Sequence, residues 1–338
     1  MISKLKNLLC WQYVVGFLLV WAMLTAVNLH WLIDNWYQWS FDQNASQAFM
    51  ERIFTIDYLK DPAYFLVQAV LSSLFSFKVF FGILIFTCLA LKFTALMQVN
   101  PRPGILDVAP YLLVLGFLHE GIQMRIAIAL SIAIWALIFF AKNQRIFAAI
   151  ILAVASTFHI SASTFFIVFI SLSLYKRFGK IILIIGAIFT LVVAYTTFGY
   201  DLFMHLGTAT NARFLNYPKE QNSTGLFQYF VFFNILLTSF VFYYFKPKSY
   251  VWETLYCLAL TSGLMAIAIL QILRFSVVTS SRLAELLSLP VLLVLGATLS
   301  QLKNEKKYWP LALMMVALVF YCVLRGYVSF SQSHLPIL

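Results

Sequence analysis

Long apolar segments recur from one end of this 338-residue chain to the other, more than a water-soluble core of that length needs. Hydrophobic residues make up 62% of the chain and charged residues 10%. The sequence therefore predicts an all-α polytopic membrane protein, a single integral membrane domain over residues 1–338. We expect about 11–12 transmembrane helices, including short, broken or re-entrant ones. The expected spans lie near residues 11–33, 79–97, 105–118, 121–141, 146–158, 161–175, 181–198, 225–245, 249–273, 283–299 and 308–325.

The charge pattern gives these spans an orientation. The net charge is +11, but the basic residues stand singly or in small groups in the gaps between spans, which indicates the positive-inside rule rather than nucleic-acid binding. The expected cytoplasmic residues are Lys4, Lys6, Arg102, Lys142, Arg145, Lys176, Arg177, Lys180, Lys246, Lys248, Lys303, Lys306 and Lys307. The opposite gaps carry Asp34, Asp42, Glu51, Asp57, Asp61, Glu120, Asp201 and Glu220, with external loops at 34–62 and 199–224. The basic N-terminus and the apolar run to about residue 33 are interpreted as a retained first span, not a cleaved signal.

The segment 62–77 does not fit a simple alternation of spans. If it crossed fully, every later basic gap would lie outside, so we interpret it as a re-entrant or interfacial helix. The alternative is that one short later segment fails to cross.

A histidine interrupts the apolar run 146–175. As a single helix that run would be about 45 Å long, well over the bilayer core of about 30 Å, and it would place the next basic cluster outside. Two short helices fit better, with His159 between them, on the outer side and among hydroxyl side chains. A polar group at membrane depth indicates function, whereas the alternative is a structural histidine bonded to a neighbouring helix.

Four arginines share this outer level: Arg125, Arg213, Arg274 and Arg282. An arginine keeps its charge, so each needs an acid, a lipid head group or an anionic substrate. Glu285 can pair with Arg282 by helical spacing, and Glu120 is the nearest acid along the chain to Arg125. Arginines that converge from separate helices would clamp a phosphate or diphosphate, whereas each one alone can be a lipid contact.

Other chemistries lack their signatures. The four cysteines show no paired spacing, and "HEGIQ" (119–123) has Gln123 where a zinc-protease helix has its second histidine. There is no glycine-rich nucleotide loop and no tight acidic pair for a divalent cation, so neither a metal nor a cofactor is expected.

The run from 121 to 169 resembles the EpsG/Wzy-type polysaccharide polymerases. Members of that family carry an "R-x-x-x-A" helix followed by a stretch that ends in "F-H-x-S-A", and the chain matches at Arg125, Ala129 and the segment 158–162. A looser likeness covers "RFLNY" (213–217) and "SSRLAELLSLPVLL" (280–293).

The resemblance implies a glycosyltransferase of the membrane-embedded GT-C sort at the periplasmic face of a bacterial inner membrane. It would join repeat units of O-antigen, capsule or exopolysaccharide that are carried on undecaprenyl diphosphate, with membrane lipid around it and a chain-length regulator protein as an expected partner. His159, with Glu120 as the second candidate, would act as base, and Arg125 would stabilise the departing diphosphate. Arg213, Arg274 and Arg282 would bind substrate.

Alternative functions remain open at this point. An O-antigen ligase would use the same clamp and base, whereas a lipid-linked oligosaccharide flippase or transporter would have charges along a path open to both faces and often an internal repeat, which is not seen. A membrane O-acyltransferase would leave the outer arginines unexplained.

The topology makes a direct prediction. In a cysteine-free background, a cysteine at Ser223 should react with an impermeant maleimide in intact cells, and a cysteine at Asn304 should be protected until the cells are opened. The opposite labelling pattern would invert the orientation and separate the outer arginines from the outer face.

Overall fold

A computed structural model describes residues 11–27, 41–43, 61–100, 103–116, 123–178, 224–273 and 277–334. Every regular element along this part of the chain is a helix, which confirms the all-α prediction. The expected span 181–198, the acid Glu120 and most of the external loops 34–62 and 199–224 lie outside the described residues.

The helices follow the predicted segments closely. They are α1 (Trp11–Val27), α2 (Pro62–Ser72), α3 (Phe77–Met97), α4 (Ile105–Tyr111, continued by a π-helical turn over Leu112–Gly116), α5 (Met124–Ala141), α6 (Arg145–Phe158), a 3₁₀ turn (Ile160–Ser163), α7 (Thr164–Phe178), α8 (Thr224–Tyr244), α9 (Tyr250–Ile272), α10 (Val277–Leu287), α11 (Leu289–Asn304) and α12 (Tyr308–His334).

Helix length separates long spans from short ones. Within the described residues, α3, α5 and α9 are long and apolar enough to cross a bilayer, and α10 with α11 makes a fourth span if the bent pair is counted as one. Other apolar helices are shorter, α2 and α6 among them. This is a multi-pass membrane protein that mixes full-length and short helices, and the total of about 11–12 spans stays a prediction.

One predicted span is bent. The segment 283–299 is not one straight helix, because α10 ends at Leu287 and α11 begins at Leu289, with a bend of 44° between residues 280–287 and 289–304. Pro290 is the physical reason: its nitrogen carries no hydrogen to donate to the carbonyl four residues earlier, and its ring collides with that carbonyl.

Two interruptions that the sequence predicted agree with the structure. Helix α2 has 11 residues, about 17 Å, which is too short to cross the bilayer core. Helix α6 ends at Phe158, and His159 has an extended backbone (φ −158°, ψ 120°) before the 3₁₀ turn. Ser156 and Thr157 hydroxyls donate to carbonyls in the last turns of α6, and such side-chain bonds compete with helix continuation. The re-entrant position of α2 in the membrane stays a prediction.

The chain divides into two compact units. The first contains residues 1–163 and 299–338, and the second contains residues 164–298. The expectation of one membrane domain over the whole chain stays a prediction, and each unit is described by itself below.

In the first unit, α3 and α5 run in the same direction. The Lys92 ammonium of α3 donates to Ala127 O at 3.2 Å and to Ser131 Oγ at 2.6 Å, in the first half of α5. Where both helices end, Lys142 Nζ donates to Gln98 Oε1 at 3.2 Å. Lys92 is buried, so these bonds and the face of a nearby tyrosine ring take the place of water around its charge.

Helix α6 returns beside α5. The connection is short, and Asn143 takes the left-handed conformation (φ 62°) that asparagine tolerates better than most residues. The return brings the end of α6 to the beginning of α5. A hydrophobic core that includes Phe80, Phe81 and Met124 packs beneath this end, with Phe65 and Phe158 against it.

In the second unit, small and hydroxyl residues bring α8, α9 and α10 together. Thr238 of α8 packs against Gly263 of α9, and the Ser262 hydroxyl donates to the carbonyl of Leu287 in α10. Ser288 Oγ donates to Asn234 Oδ1 at 2.8 Å. Small residues at helix contacts are typical of membrane proteins because they let backbones approach.

The contact at Gly263 predicts a stability difference between two glycines. A Cβ at Gly263 would lie 2.9 Å from Thr238 Cγ2 and 3.2 Å from Thr238 Cβ, whereas a Cβ at Gly82 would lie 3.8 Å from its nearest neighbour. Gly263→Ala should therefore lower the free energy of unfolding by roughly 1–3 kcal/mol through overpacking, and Gly82→Ala should change it little. Thermal unfolding in detergent measures both, and Thr238→Ala should restore part of the loss. Equal stability of the two glycine variants would contradict this packing.

Candidate functional site

The carboxylate of Asp61 joins three separate elements of the first unit. Its Oδ2 accepts a hydrogen bond from Arg125 Nη1 of α5 at 2.7 Å. Its Oδ1 lies 3.1 Å from His159 Nδ1, just after α6, and 3.2 Å from the donating backbone N–H of Ile160. The side chains of Asp61, Arg125 and His159 are 5%, 28% and 22% exposed, so the carboxylate is buried and its two partners reach the surface. We call these three residues the Asp61 cluster.

The Asp61 side chain does not cap the helix that follows it. Asp61 precedes α2, and an aspartate there normally accepts bonds from the first N–H groups of the helix. Here it makes no side-chain cap, and its backbone is left-handed (φ 52°, ψ 51°) immediately before Pro62. This conformation costs on the order of 1–3 kcal/mol for a non-glycine residue and is concentrated at functional sites. The carboxylate is committed to Arg125, His159 and Ile160 instead.

Arg125 lies where a helix does not favour a cation. It is the second residue of α5, and the partial positive charge of a helix N-terminus repels a guanidinium there. The Asp61 carboxylate offsets that charge, and the Phe65 ring lies 5.9 Å from the guanidinium carbon. Because Asp61 and Phe65 both belong to the start of α2, this short helix positions the arginine.

His159 is held by the interruption after α6. Its backbone N–H donates to Ala155 O at 3.1 Å, and its carbonyl accepts from Ala162 N at 2.9 Å, which starts the 3₁₀ turn. The Ile160 N–H points at Asp61 at the beginning of that turn. A carboxylate at the N-terminal end of a helical turn is electrostatically favourable, so Asp61 stabilises the break as well as the imidazole.

The environment keeps Asp61 ionised. Asp61 lies outside the spanning helices, and burial raises the pKa of its carboxyl. The hydrogen bond of His159 and the charge of its protonated form, the charge of Arg125 and the N–H of Ile160 outweigh burial and hold the pKa below its ordinary value. The carboxylate is therefore a fixed acceptor near neutral pH.

Arg125 pairs with Asp61, an acid that sequence spacing did not suggest for it. The sequence identified Arg125 and His159 and placed Asp61 among the outer acids, but it did not join the three. Asp61 is separated from Arg125 by 64 residues and from His159 by 98, and no helical period connects positions so far apart. One local signal existed: an Asp-Pro pair directly before a short apolar helix that cannot cross the membrane. Glu120 lies outside the described residues, so its predicted role as a second base stays a prediction.

Two of the four arginines of the expected clamp, Arg125 and Arg282, are among the described residues. Arg213 and Arg274 lie outside the described residues. Arg282 is exposed on α10 of the second unit, whereas Glu285 is buried, at 3% exposure. Because one side chain is exposed and the other is buried, the Arg282–Glu285 ion pair expected from helical spacing is not favoured. Convergence of Arg213, Arg274 and Arg282 with Arg125 stays a prediction.

The Asp61 cluster can bind an anion and accept a proton. The guanidinium supplies N–H donors for phosphate oxygens, and a neutral imidazole nitrogen can take a proton from a hydroxyl. Across the described residues, no group of three or more His, Cys, Asp and Glu side chains is arranged to hold a metal ion.

The pairing predicts a measurable coupling. Asp61→Asn and Arg125→Gln should each lower the free energy of unfolding, and the double variant should lose less than the sum by roughly 0.5–3 kcal/mol, because each single change leaves the other partner unsatisfied. Asp42 is exposed, so Asp42→Asn should combine additively with Arg125→Gln. Denaturation in detergent measures the cycle, and additive losses for Asp61 and Arg125 would show that the two do not stabilise each other.

Comparison with known proteins gives the chain its family. The model of the EpsG family matches residues 11–336, nearly the whole chain, and so includes all three residues of the Asp61 cluster. Neither the curated proteins nor the solved structures contain a significant match. The chain belongs to the EpsG family, a family of Wzy-type polysaccharide polymerases.

Proposed function

We propose that this polymerase lengthens a glycan at the periplasmic face of a bacterial inner membrane, using the Asp61 cluster. A growing glycan on undecaprenyl diphosphate would be transferred to the non-reducing end of a fresh lipid-linked repeat unit. The observation that carries the proposal is that one buried carboxylate holds an arginine and a histidine together. An arginine can bind the phosphates of a lipid-diphosphate donor, and a histidine can accept the proton of an acceptor hydroxyl.

The donor half of the reaction suits Arg125. The bond between the anomeric carbon and the phosphate oxygen breaks, and its electron pair leaves with the lipid diphosphate. A guanidinium that faces the departing oxygens stabilises this charge, and it needs no proton transfer to do so. The lipid carrier anchors the donor in the bilayer, so the enzyme needs no nucleotide-binding domain, consistent with the absence of a nucleotide loop from the sequence.

The acceptor half suits His159. A sugar hydroxyl must lose its proton as its oxygen bonds to the anomeric carbon, and a histidine is the usual side chain for accepting a proton near neutral pH. His159 is part-buried at a helix break, where the side chain keeps partial access to its surroundings. Within this proposal, Glu120 is the second candidate base, and Arg213, Arg274 and Arg282 add contacts to substrate.

The expected orientation of the helices supports a periplasmic location for the Asp61 cluster. The break at His159 and the start of α5 lie at one end of the first unit, while Lys142, Gln98 and the exposed Arg145 mark the other end of α3, α5 and α6. Under the positive-inside rule the basic end is cytoplasmic, which would place the Asp61 cluster at the periplasmic end. The short α2 and α6 would let lipid-linked sugars approach the cluster below the membrane surface. Metal independence and a GT-C architecture belong to the same proposal.

Reconstitution tests the function directly. Purified protein in liposomes should lengthen a defined lipid-diphosphate-linked repeat unit without nucleotide, metal or a second protein, with chains resolved by gel electrophoresis. Movement of the unit across the bilayer without lengthening would identify a flippase. Transfer only to lipid A core would identify a ligase. Either result would overturn the proposal. A chain-length regulator, the expected partner, would narrow the product distribution but should not be needed for transfer.

Two substitutions test the roles within the cluster. Arg125→Lys keeps the charge but loses the forked donor, and it should lower turnover strongly while the protein still accumulates in the membrane. His159→Gln keeps a hydrogen-bonding side chain that cannot titrate, and turnover should fall on the order of 10²- to 10⁴-fold.

The matched control is Arg145→Lys, at the exposed basic end, which should leave turnover unchanged. Normal polymer from the Arg125→Lys protein would reduce Arg125 to a structural role. Full-length polymer at a normal rate from His159→Gln would show that His159 is not the base.

A further inference from the structure

We propose that Asp61 is a positioning residue that fixes the His159 imidazole with its hydrogen on Nδ1 and leaves the Nε2 lone pair for the acceptor. The inference rests on the proposed function for the identity of the acceptor, a sugar hydroxyl. The tautomer and its cause are properties of the chain alone. Asp61 therefore acts on the reaction through His159 and does not itself take the proton.

The geometry selects the tautomer. His159 Nδ1 lies 3.1 Å from Asp61 Oδ1, within hydrogen-bond distance. An ionised carboxylate only accepts hydrogen bonds, so the contact requires the hydrogen to reside on Nδ1. In a neutral imidazole the other nitrogen is then an acceptor, and a base must present a bare nitrogen to the hydroxyl it deprotonates.

The carboxylate cannot easily turn to another arrangement. Its Oδ2 is engaged by Arg125, and its Oδ1 also accepts the backbone N–H of Ile160. The side chain is 5% exposed, so water does not readily replace either partner. The left-handed backbone of Asp61 and the fixed ring of Pro62 set the direction from which the carboxylate approaches.

The imidazole is fixed from its own side as well. The extended backbone of His159 sits between α6 and the 3₁₀ turn, with its N–H and carbonyl both bonded. The N–H of the next residue bonds to the same carboxylate oxygen as the ring does. The His159 ring and the Ile160 N–H are thus both held by Asp61 Oδ1, which determines where His159 Nε2 points.

The proton balance follows from this arrangement. The acceptor oxygen bonds to the anomeric carbon as its proton passes to Nε2, and the electron pair of the carbon–phosphate oxygen bond leaves with the diphosphate. The imidazole becomes imidazolium, and its Nδ1–H stays bonded to the carboxylate. Asp61 stabilises that new positive charge without being protonated, as an aspartate does behind the base of a serine protease.

Nitrogen-15 NMR tests the tautomer without reference to activity. The protein is labelled at histidine nitrogens in lipid nanodiscs at alkaline pH, and His159 is assigned by the resonance missing from His159→Gln. We expect the shifts of a protonated Nδ1 and a bare Nε2. In Asp61→Asn, which keeps the size and the tolerance of a left-handed backbone, the Nε2–H form should gain population. Asp42→Asn, at an exposed position, should leave the spectrum unchanged.

Turnover completes the test. Asp61→Asn should lower elongation on the order of 10²-fold or more, because the base loses the partner that fixes its tautomer. A His159 resonance with hydrogen on Nε2 in the unmodified protein would overturn the inference. So would an Asp61→Asn protein of normal turnover. The expected tautomer in a protein that lengthens no lipid-linked glycan would support the positioning role and refute the proposed function.

Discussion

A buried negative charge organises this end of the first unit. The Asp61 carboxylate makes three charge-assisted or backbone bonds from a position that is 5% exposed. Removing a carboxylate from water is costly unless its partners are in place, so α2, α5 and the segment after α6 must assemble together. The strained backbone of Asp61, the cation at the start of α5 and the break at His159 are each unfavourable alone. Each is compensated by the same carboxylate, which explains why they occur together.

Most of the helices were predictable because a membrane helix can be identified from the apolar length of its own segment. Apolar length predicted α3, α5, α9 and the division of 146–175 at His159, and the charge pattern predicted that the α2 segment does not cross fully. The bend within the span at 283–299 was not predicted, although Pro290 carried the relevant signal. Apolarity measures the total length of a segment but not its straightness, so a bend inside an apolar run is easily missed.

The candidate site was less predictable, for a physical reason. Arg125 and His159 were found because charge at membrane depth is conspicuous. Asp61 looked like any other acid of an external loop, since its burial depends on α2 folding back against two helices that follow much later in the chain. Local spacing offered only Glu120 as a candidate partner for Arg125, and it gave no sign of the Asp61 pairing that the structure shows. Ion pairs between distant segments depend on how the helices pack. Hydrophobic periodicity predicts the helices but not their packing.

The proposed reaction depends on one arrangement, a donor diphosphate at Arg125 and an acceptor hydroxyl at His159. A cryo-EM structure of the protein in nanodiscs with a non-hydrolysable lipid-diphosphate-linked glycan tests it most directly. We predict diphosphate density against the Arg125 guanidinium, with Asp61 still bonded to both partners and a sugar hydroxyl within about 3.2 Å of His159 Nε2. Diphosphate density elsewhere in the protein, with the Asp61 cluster enclosed and remote from the glycan, would contradict it.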